Sequence, residues 1–391
     1  MICKLAFRNV ISNGWRSFTN TLVISIVLIV IIWMQAMYYS WIKLAETQQM
    51  EWEYGKGMLR ERSYDPNDPF SWEDSFATIS KEQGKAIQNR ELIPILLTPS
   101  TIYPHGRMMS AILKGIPWNQ KYLKIPSEIL NPQNKDIIPV LIGNSMAKST
   151  RLEEDDIFSI RVKDKNGAYN AIDVIVTDIV SIPAPTADIG SVWIDLNALR
   201  SVKAMNNEVT YLVMTDTQQA ILENEKFRYI PKKEYFADLY QMLENERFLQ
   251  VLLYGLLLLL AMLAVFDTQT LAVFKRRREI GTLSALGLTK AKITLLFTLE
   301  GALYMLLATI MSLTLGFPLF WYFAKYGFAM PSGYEDMGIQ GFSEPIRFVY
   351  PVGEITVVLS LIFLLTIVVS WIPTRKIAKL NPIDALRGKV D

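Results

Sequence analysis

Few residues in this chain have the type and spacing to do chemistry. Gly143-Asn144-Ser145-Met146-Ala147-Lys148-Ser149 has the outline of a phosphate loop, in which backbone N–H groups cradle an anion and a lysine neutralises it. The glycine such a loop carries at its sixth position is missing, so the backbone cannot fold into the anion nest. Glu153-Glu154-Asp155-Asp156 gathers carboxylates without the alternating ligand spacing of a calcium loop, and reads as a solvated turn. His105, the sole histidine, stands between Pro104 and Gly106 in a loop, with no second histidine or cysteine cluster to complete a zinc site. Cys3 is the only cysteine, which excludes an intrachain disulfide, and no apolar run precedes it as a lipidated cysteine requires. No catalytic residue, metal site or cofactor is expected in the chain itself.

The informative stretch is Lys275-Arg276-Arg277-Arg278-Glu279-Ile280-Gly281-Thr282-Leu283-Ser284-Ala285-Leu286-Gly287, which lies between two long apolar runs. A basic cluster at the exit of a membrane span marks the cytoplasmic face, because Lys and Arg resist translocation. The segment that follows is helix-like. Ile280, Leu283, Ser284 and Gly287 recur at i, i+3, i+4 and i+7, an apolar or small stripe that another surface can approach closely. Its chemistry is that of a contact surface for a partner.

Four spans are predicted to position it, at 17–42, 248–274, 293–323 and 355–372, the last stopped by Pro373. The first follows Lys4, Arg8 and Arg16 as a signal peptide would, but it is too long for a cleaved one and no small-x-small site follows, so a retained anchor is expected. Asp267 and Glu300 are ionisable groups at membrane depth near the cytoplasmic ends of their spans, placed for snorkelling or interhelical hydrogen bonding as well as for a proton relay. Trp33, Met34, Met37, Tyr38, Tyr39 and Trp41 crowd the outer end of the first span. They read as an interfacial aromatic belt, or as a pliable apolar wall in which Met34, Met37 and Trp41 line the path of a lipid-like substrate.

Composition agrees with spans alternating with a soluble domain: 51% of residues are hydrophobic, yet 20% are charged. The net charge of +2 hides a lopsided distribution. Lys4, Arg8, Arg16, Lys275, Arg276, Arg277, Arg278, Lys290, Lys292, Arg375, Lys376, Lys379, Arg387 and Lys389 flank the spans on one side, opposed only by Glu279, Asp384 and Asp391. That is the positive-inside pattern rather than a nucleic-acid patch. Alternating the sides puts both termini in the cytoplasm. The fold class is then an α-helical membrane protein with four transmembrane helices and a large mixed α/β extracytoplasmic domain between the first and second. Residues 1–42 hold the cytoplasmic N-terminus and first span, and 43–247 the extracytoplasmic domain. Residues 248–391 hold three spans, a cytoplasmic segment at about 275–292 and a cytoplasmic tail. In the domain, 157–162 and 171–180 read as strands joined by the hairpin turn Asp164-Lys165-Asn166-Gly167, with further strands at 191–196 and 209–214. Short helical pieces are expected at 128–130, 145–149 and 196–202, and 324–354 reads as a loop rich in Gly and Pro.

The order of one span, a large external domain and three spans resembles the FtsX/MacB-type permeases of ABC transporters. That family carries an R-E-I-G-x-L-x-A-L-G segment, matched by residues 278–287. It also has a P-x-R-x-A-x-x-x-P-x-x-A-L-R tail, nearly intact in residues 373–387. Residues 138–147 followed by Asp155 or Asp156 resemble a further family element, with Glu or Asp in place of its usual glycine. Lys114-Gly115-Ile116-Pro117 resembles one seen in lipoprotein-releasing (Lol-type) members. The resemblance implies a permease subunit rather than an enzyme, in a bacterial inner membrane. It implies a coupling helix, here Arg276, Arg277, Arg278, Glu279, Ile280, Gly281, Leu283, Ala285, Leu286 and Gly287, seated on a separate ATPase present in two copies that binds ATP and Mg. It further implies a second permease subunit (itself or a paralogue), lipid-anchored cargo and a periplasmic carrier or adaptor. Lipoprotein extraction is the favoured activity, with MacB-like mechanotransmission efflux and FtsX-like signalling to cell-wall hydrolases as alternatives.

Overall fold

The computed structural model describes residues 2–12, 14–66, 68, 71–131, 137–329 and 345–377. The chain divides into two compact units, one of Met1–Trp41, Gln241–Phe328 and Ile346–Asp391, the other of Ile42–Tyr240 and Ala329–Pro345. Helix α1 (Ile2–Ser12) buries Ala6 and Val10 and exposes Phe7 and Ile11. Helix α2 (Gly14–Gln49) outruns the apolar stretch that ends at 42, because Lys43-Leu44-Ala45-Glu46 are strong helix formers. It closes in a π-helical turn, Met50–Tyr54.

The second unit is built from β1 (Gly57–Glu61), β2 (Ala77–Thr78), α3 (Lys81–Gln88), β3 (Leu92–Tyr103), β4 (Met109–Ile116), β5 (Ile138–Gly143) and α4 (Asn144–Thr150), followed by β6 (Ile157–Lys163) and β7 (Tyr169–Val180). Then come α5 (Pro185–Asp188), β8 (Ser191–Asp195), α6 (Leu196–Val202), β9 (Glu208–Val209), β10 (Tyr211–Met214), β11 (Phe227–Ile230) and α7 (Lys232–Tyr235). Strands β3-β4-β8-β5-β7-β6 close into a barrel, because β6 pairs back onto the far end of β3. The β4–β8 and β5–β7 pairs are parallel, the others antiparallel. The first half of β3 instead pairs with β10, which continues the sheet through β1 to β11. Alternation sorts the barrel residues. Val140, Ile142, Phe158, Ile160, Val174, Val192 and Ile194 form one core, while Ile95, Leu97, Leu141 and Trp193 join a second with Tyr54 and Phe236. The 164–167 turn forms as expected: Asp164 accepts from the N–H groups of Asn166 and Ala168, and Gly167 takes φ +88°.

Buried within this unit, Glu53 accepts from Lys114 Nζ at 2.6 Å, Thr186 Oγ1 at 2.5 Å and Tyr235 OH at 3.2 Å. The Lys114 ammonium also donates to the Thr186 carbonyl at 2.7 Å and lies 5.2 Å over the Trp193 ring. The end of the π-turn is thus fixed to barrel strand β4 and to α7 by a satisfied ionic cluster. Breaking one partner of such a cluster costs about 3–5 kcal/mol.

Helices α8 (Ala237–Lys275), α9 (Arg277–Ala285), α10 (Lys290–Tyr326) and α11 (Val352–Ile377) complete the chain. Among the described residues four helices, α2, α8, α10 and α11, are long and apolar enough to cross a membrane. They share a core of Ile24, Leu28, Ile31, Ala261, Val265, Met305, Ala308 and Ile362. Leu252, Leu256, Leu260 and Leu263 are nonetheless exposed on α8, the all-round apolar character of a helix solvated by lipid. Two expectations need correction. α11 does not stop at Pro373 but continues to Ile377, and the Thr374 hydroxyl donates to the carbonyls of Ser370 and Trp371 beside the proline. α10 runs to Tyr326, beyond the expected loop start at 324, and Phe328 then pairs with Ile346. Residues 330–344 of that loop and 378–391 of the tail motif lie outside the described residues.

Candidate functional site

The basic segment folds as a short helix between two breaks. At the first, Arg276 leaves the helical region (φ −101°, ψ 22°), separating α8 from α9. At the second, Gly287 takes φ +92°, its N–H donating to Ser284 O at 3.1 Å while the Leu288 N–H donates to Leu283 O at 3.0 Å. That bond pair is a Schellman stop, which needs a residue at positive φ. Gly287 therefore ends the helix at the last position of the expected contact stripe. The helix is also shorter than the 275–292 expected.

Its inner face is set by packing. Ile280 is buried with Val273, Ile293 and Phe297, and Leu288 closes over them. Gly281 is buried beside it, so Ile280 and Gly281 face the bundle. The opposite side carries Arg278, Glu279, Thr282, Ala285 and Leu286, all exposed; Leu283 and Ser284 are intermediate. Leu286 is 79% exposed, an unusual position for a large apolar side chain at a helix end. Of Arg277, only the backbone belongs to the described structure.

Arg276 turns inward. Its Nη1 donates to Glu300 Oε1 at 3.0 Å and Oε2 at 3.1 Å, its Nε to Glu279 Oε2 at 2.6 Å, and its guanidinium lies 5.0 Å over the Phe297 ring. Glu300, 3% exposed, also accepts from Asn9 Nδ2 at 2.7 Å. The site thus joins α1, α9 and α10 through one carboxylate. Sequence reasoning marked Glu300 and Arg276 separately. It missed Asn9 and the pairing itself, which spans 291 positions at its widest. Asp267 is exposed on α8 and takes no part in this cluster.

One residue further along α10, Gly301 gives Ser370 of α11 room to pack. A Cβ there would lie 2.0 Å from Ser370 Oγ and 3.3 Å from Gln269 Nε2 of α8. Gln269 Oε1 and Ser370 Oγ are buried without a hydrogen-bond partner among the described residues.

Met34, Met37 and Trp41 are half-buried on α2. Their neighbour Trp33 packs against Phe323, Phe328 and Phe348 at 5.6–6.2 Å, so this ring belongs to an aromatic cluster within the bundle. The phosphate-loop look-alike is filled from within. Asp188 accepts from the Ser145 N–H at 3.2 Å and from its hydroxyl, and a Cβ on Gly143 would lie 1.8 Å from Asp188 Oδ1. The chain's own carboxylate occupies the place an anion would take. Among the described residues, no group of three or more His, Cys, Asp or Glu is arranged to hold a metal.

Residues 251–382 match the family profile described as FtsX-like permease C-terminal. An uncharacterized ABC transporter permease of Methanocaldococcus jannaschii is 32% identical over 132 residues, 34% of this chain. The match spans about 30% of the length of that relative. The extracellular domain of YknZ, an ABC-type transporter from Gram-positive bacteria, aligns over 44% of this chain and 100% of its own, with 11% identity and a TM-score of 0.28.

Proposed function

From a chain whose residues 251–382 form an FtsX-like permease domain homologous to an ABC transporter permease, we propose the membrane subunit of an ABC transporter driven by a separate ATPase. Two copies of that ATPase, with their ATP and Mg, dock on α9 of two permease subunits, identical or paralogous. The observation that carries this reading is α9 itself. It is a short helix outside the spans, packed on the bundle by Ile280 and Arg276 and presenting an exposed Leu286 beside Arg278 and Glu279. An apolar anchor with a charged rim suits a groove on a partner protein. On this reading α9 and both termini are cytoplasmic, the second unit is extracytoplasmic, and the membrane is the bacterial inner membrane. The work done is extraction of lipid-anchored proteins along the Met34–Met37–Trp41 face and their hand-over to a periplasmic carrier.

A second reading is mechanotransmission without a lipid-anchored cargo, through a periplasmic adaptor or a cell-wall hydrolase. It is favoured by the lengths of α2 and α8, 36 and 39 residues. At 1.5 Å per residue their lengths approach about 50–60 Å, well beyond the ~30 Å hydrocarbon core.

The test of docking is Leu286→Asp. The ATPase should fail to co-purify, with insertion and thermal stability of the permease unchanged, since the side chain makes little use of its own fold. Undiminished co-purification would remove α9 as the docking element. Photocrosslinking from positions 34, 37 and 41 separates the two cargo readings. Adducts with lipoprotein that vanish on adding ATP support extraction; adducts with bulk phospholipid alone leave mechanotransmission.

A further inference from the structure

We propose that Glu300 is the positioning residue of the coupling step, a buried carboxylate that holds α9 to α10 and α1 so that a push on α9 reaches the spans. This inference rests on α9 being the docking element and deepens that reading.

The argument is geometric. α9 is separated from α8 by the non-helical Arg276 and from α10 by the Gly287 stop, so neither backbone connection is a continuous helix. Side chains must therefore fix its orientation. The apolar seat under Ile280 is small, with Val273, Ile293 and Phe297 as its buried members. The directional contacts are those of Arg276, whose guanidinium bridges Glu279 of α9 and Glu300 of α10 while stacking on Phe297. Glu300 then passes the connection to α1 through Asn9. Hydrogen bonds to an ionised, buried acceptor are short and oriented, which makes them suited to fixing an angle. Removing the charge leaves the Arg276 guanidinium, 16% exposed, without its buried counter-charge. Arg276 then has reason to turn toward water and release α9.

Hydrogen exchange of the full-length chain in lipid nanodiscs tests this without any partner. Glu300→Gln should speed exchange of the Arg277–Ala285 amides by at least about tenfold, with α10 amides near wild type. Glu300→Asp, which keeps the charge, should recover part of the protection. With the ATPase present, Glu300→Gln should lower the transport achieved per ATP hydrolysed by more than Glu300→Asp does. Unchanged exchange in α9, or equal acceleration across α10, would overturn the positioning role. If α9 loosens as expected but the wild-type chain binds no ATPase, the proposed function fails while the role of Glu300 in holding α9 stands.

Discussion

Lys203 offers the clearest case at the scale of a residue. It is 1% exposed, its ammonium donates to Thr98 Oγ1 at 3.0 Å and lies 5.4 Å over the Phe76 ring, and burial lowers its pKa to about 8. Glu73, Asp74 and Asp164 oppose that shift, while Lys163 adds to it. Below pH 8 the lysine is charged folded and unfolded, and the burial cost is fully present. Between about 8 and the ordinary lysine value near 10.4, the unfolded chain keeps a proton the folded chain has released, so stability climbs with pH by up to about 3 kcal/mol. Thermal unfolding of the detergent-solubilised chain at pH 7.5 and 9.5 should show this rise in wild type and a flat response in Lys203→Met. Gly143 gives a second expectation. With Asp188 Oδ1 only 1.8 Å from where its Cβ would stand, Gly143→Ala should destabilise the barrel unit by about 1–3 kcal/mol in the same assay. The sequence showed that the phosphate motif was broken at its sixth position. It did not show that Asp188, 43 positions from Ser145, fills the site, because nothing local ties the two.

The two ends of α9 and its neighbour α10 make the same point for elements. Gly287 has open space where a Cβ would go, so a substitution there acts through backbone conformation alone. Gly287→Val should cost about 1–2 kcal/mol and expose the Leu288 amide to exchange, whereas Gly287→Asn, tolerant of positive φ, should be milder. Gly301 is the reverse case, a steric requirement. Gly301→Ala should force α10 and α11 apart and lower the melting temperature of the bundle, and adding Ser370→Gly should restore it, since the obstructing atoms are Ser370 Oγ and Cβ. Recovery absent from the double variant would mean the helices are held apart by something else. Elements with local signals were legible in advance, such as the 164–167 hairpin and the apolar helices. β3 was not anticipated: it carries Pro94 within the half that pairs with β10 and Pro99 within the half that pairs with β4, the partner changing between Ile95 and Leu96. The Schellman stop was hidden for a different reason: a glycine at i+7 satisfies a stripe and a terminus equally well.

For the molecule as a whole, charge asymmetry makes a prediction that needs no knowledge of cargo. With Cys3, the only cysteine, changed to serine, an impermeant maleimide on intact cells should modify Asn166→Cys and spare Thr289→Cys. Both positions are exposed, so accessibility within the fold does not decide the outcome. Labelling at Thr289 would reverse the orientation. The order of spans and intervening domain was legible because lipid demands long apolar runs; the closure of the barrel was not, because it depends on pairings between distant strands. Those pairings carry a consequence for how the protein is made. β1 waits for β10 and β11, and β4 for β8, so the barrel and its adjoining sheet cannot be completed until residue 230 has emerged. Only a few residues later α8 begins, and with it the next stretch to be retained in the bilayer. Strands β3–β8 can pair once residue 195 has emerged, but β1 and the first half of β3 keep unpaired edges until β10 and β11 follow. On the proposed orientation, those edges should make the chain depend on a holding chaperone on the far side of the membrane during biogenesis, and slowing translation after residue 230 should do little to help it.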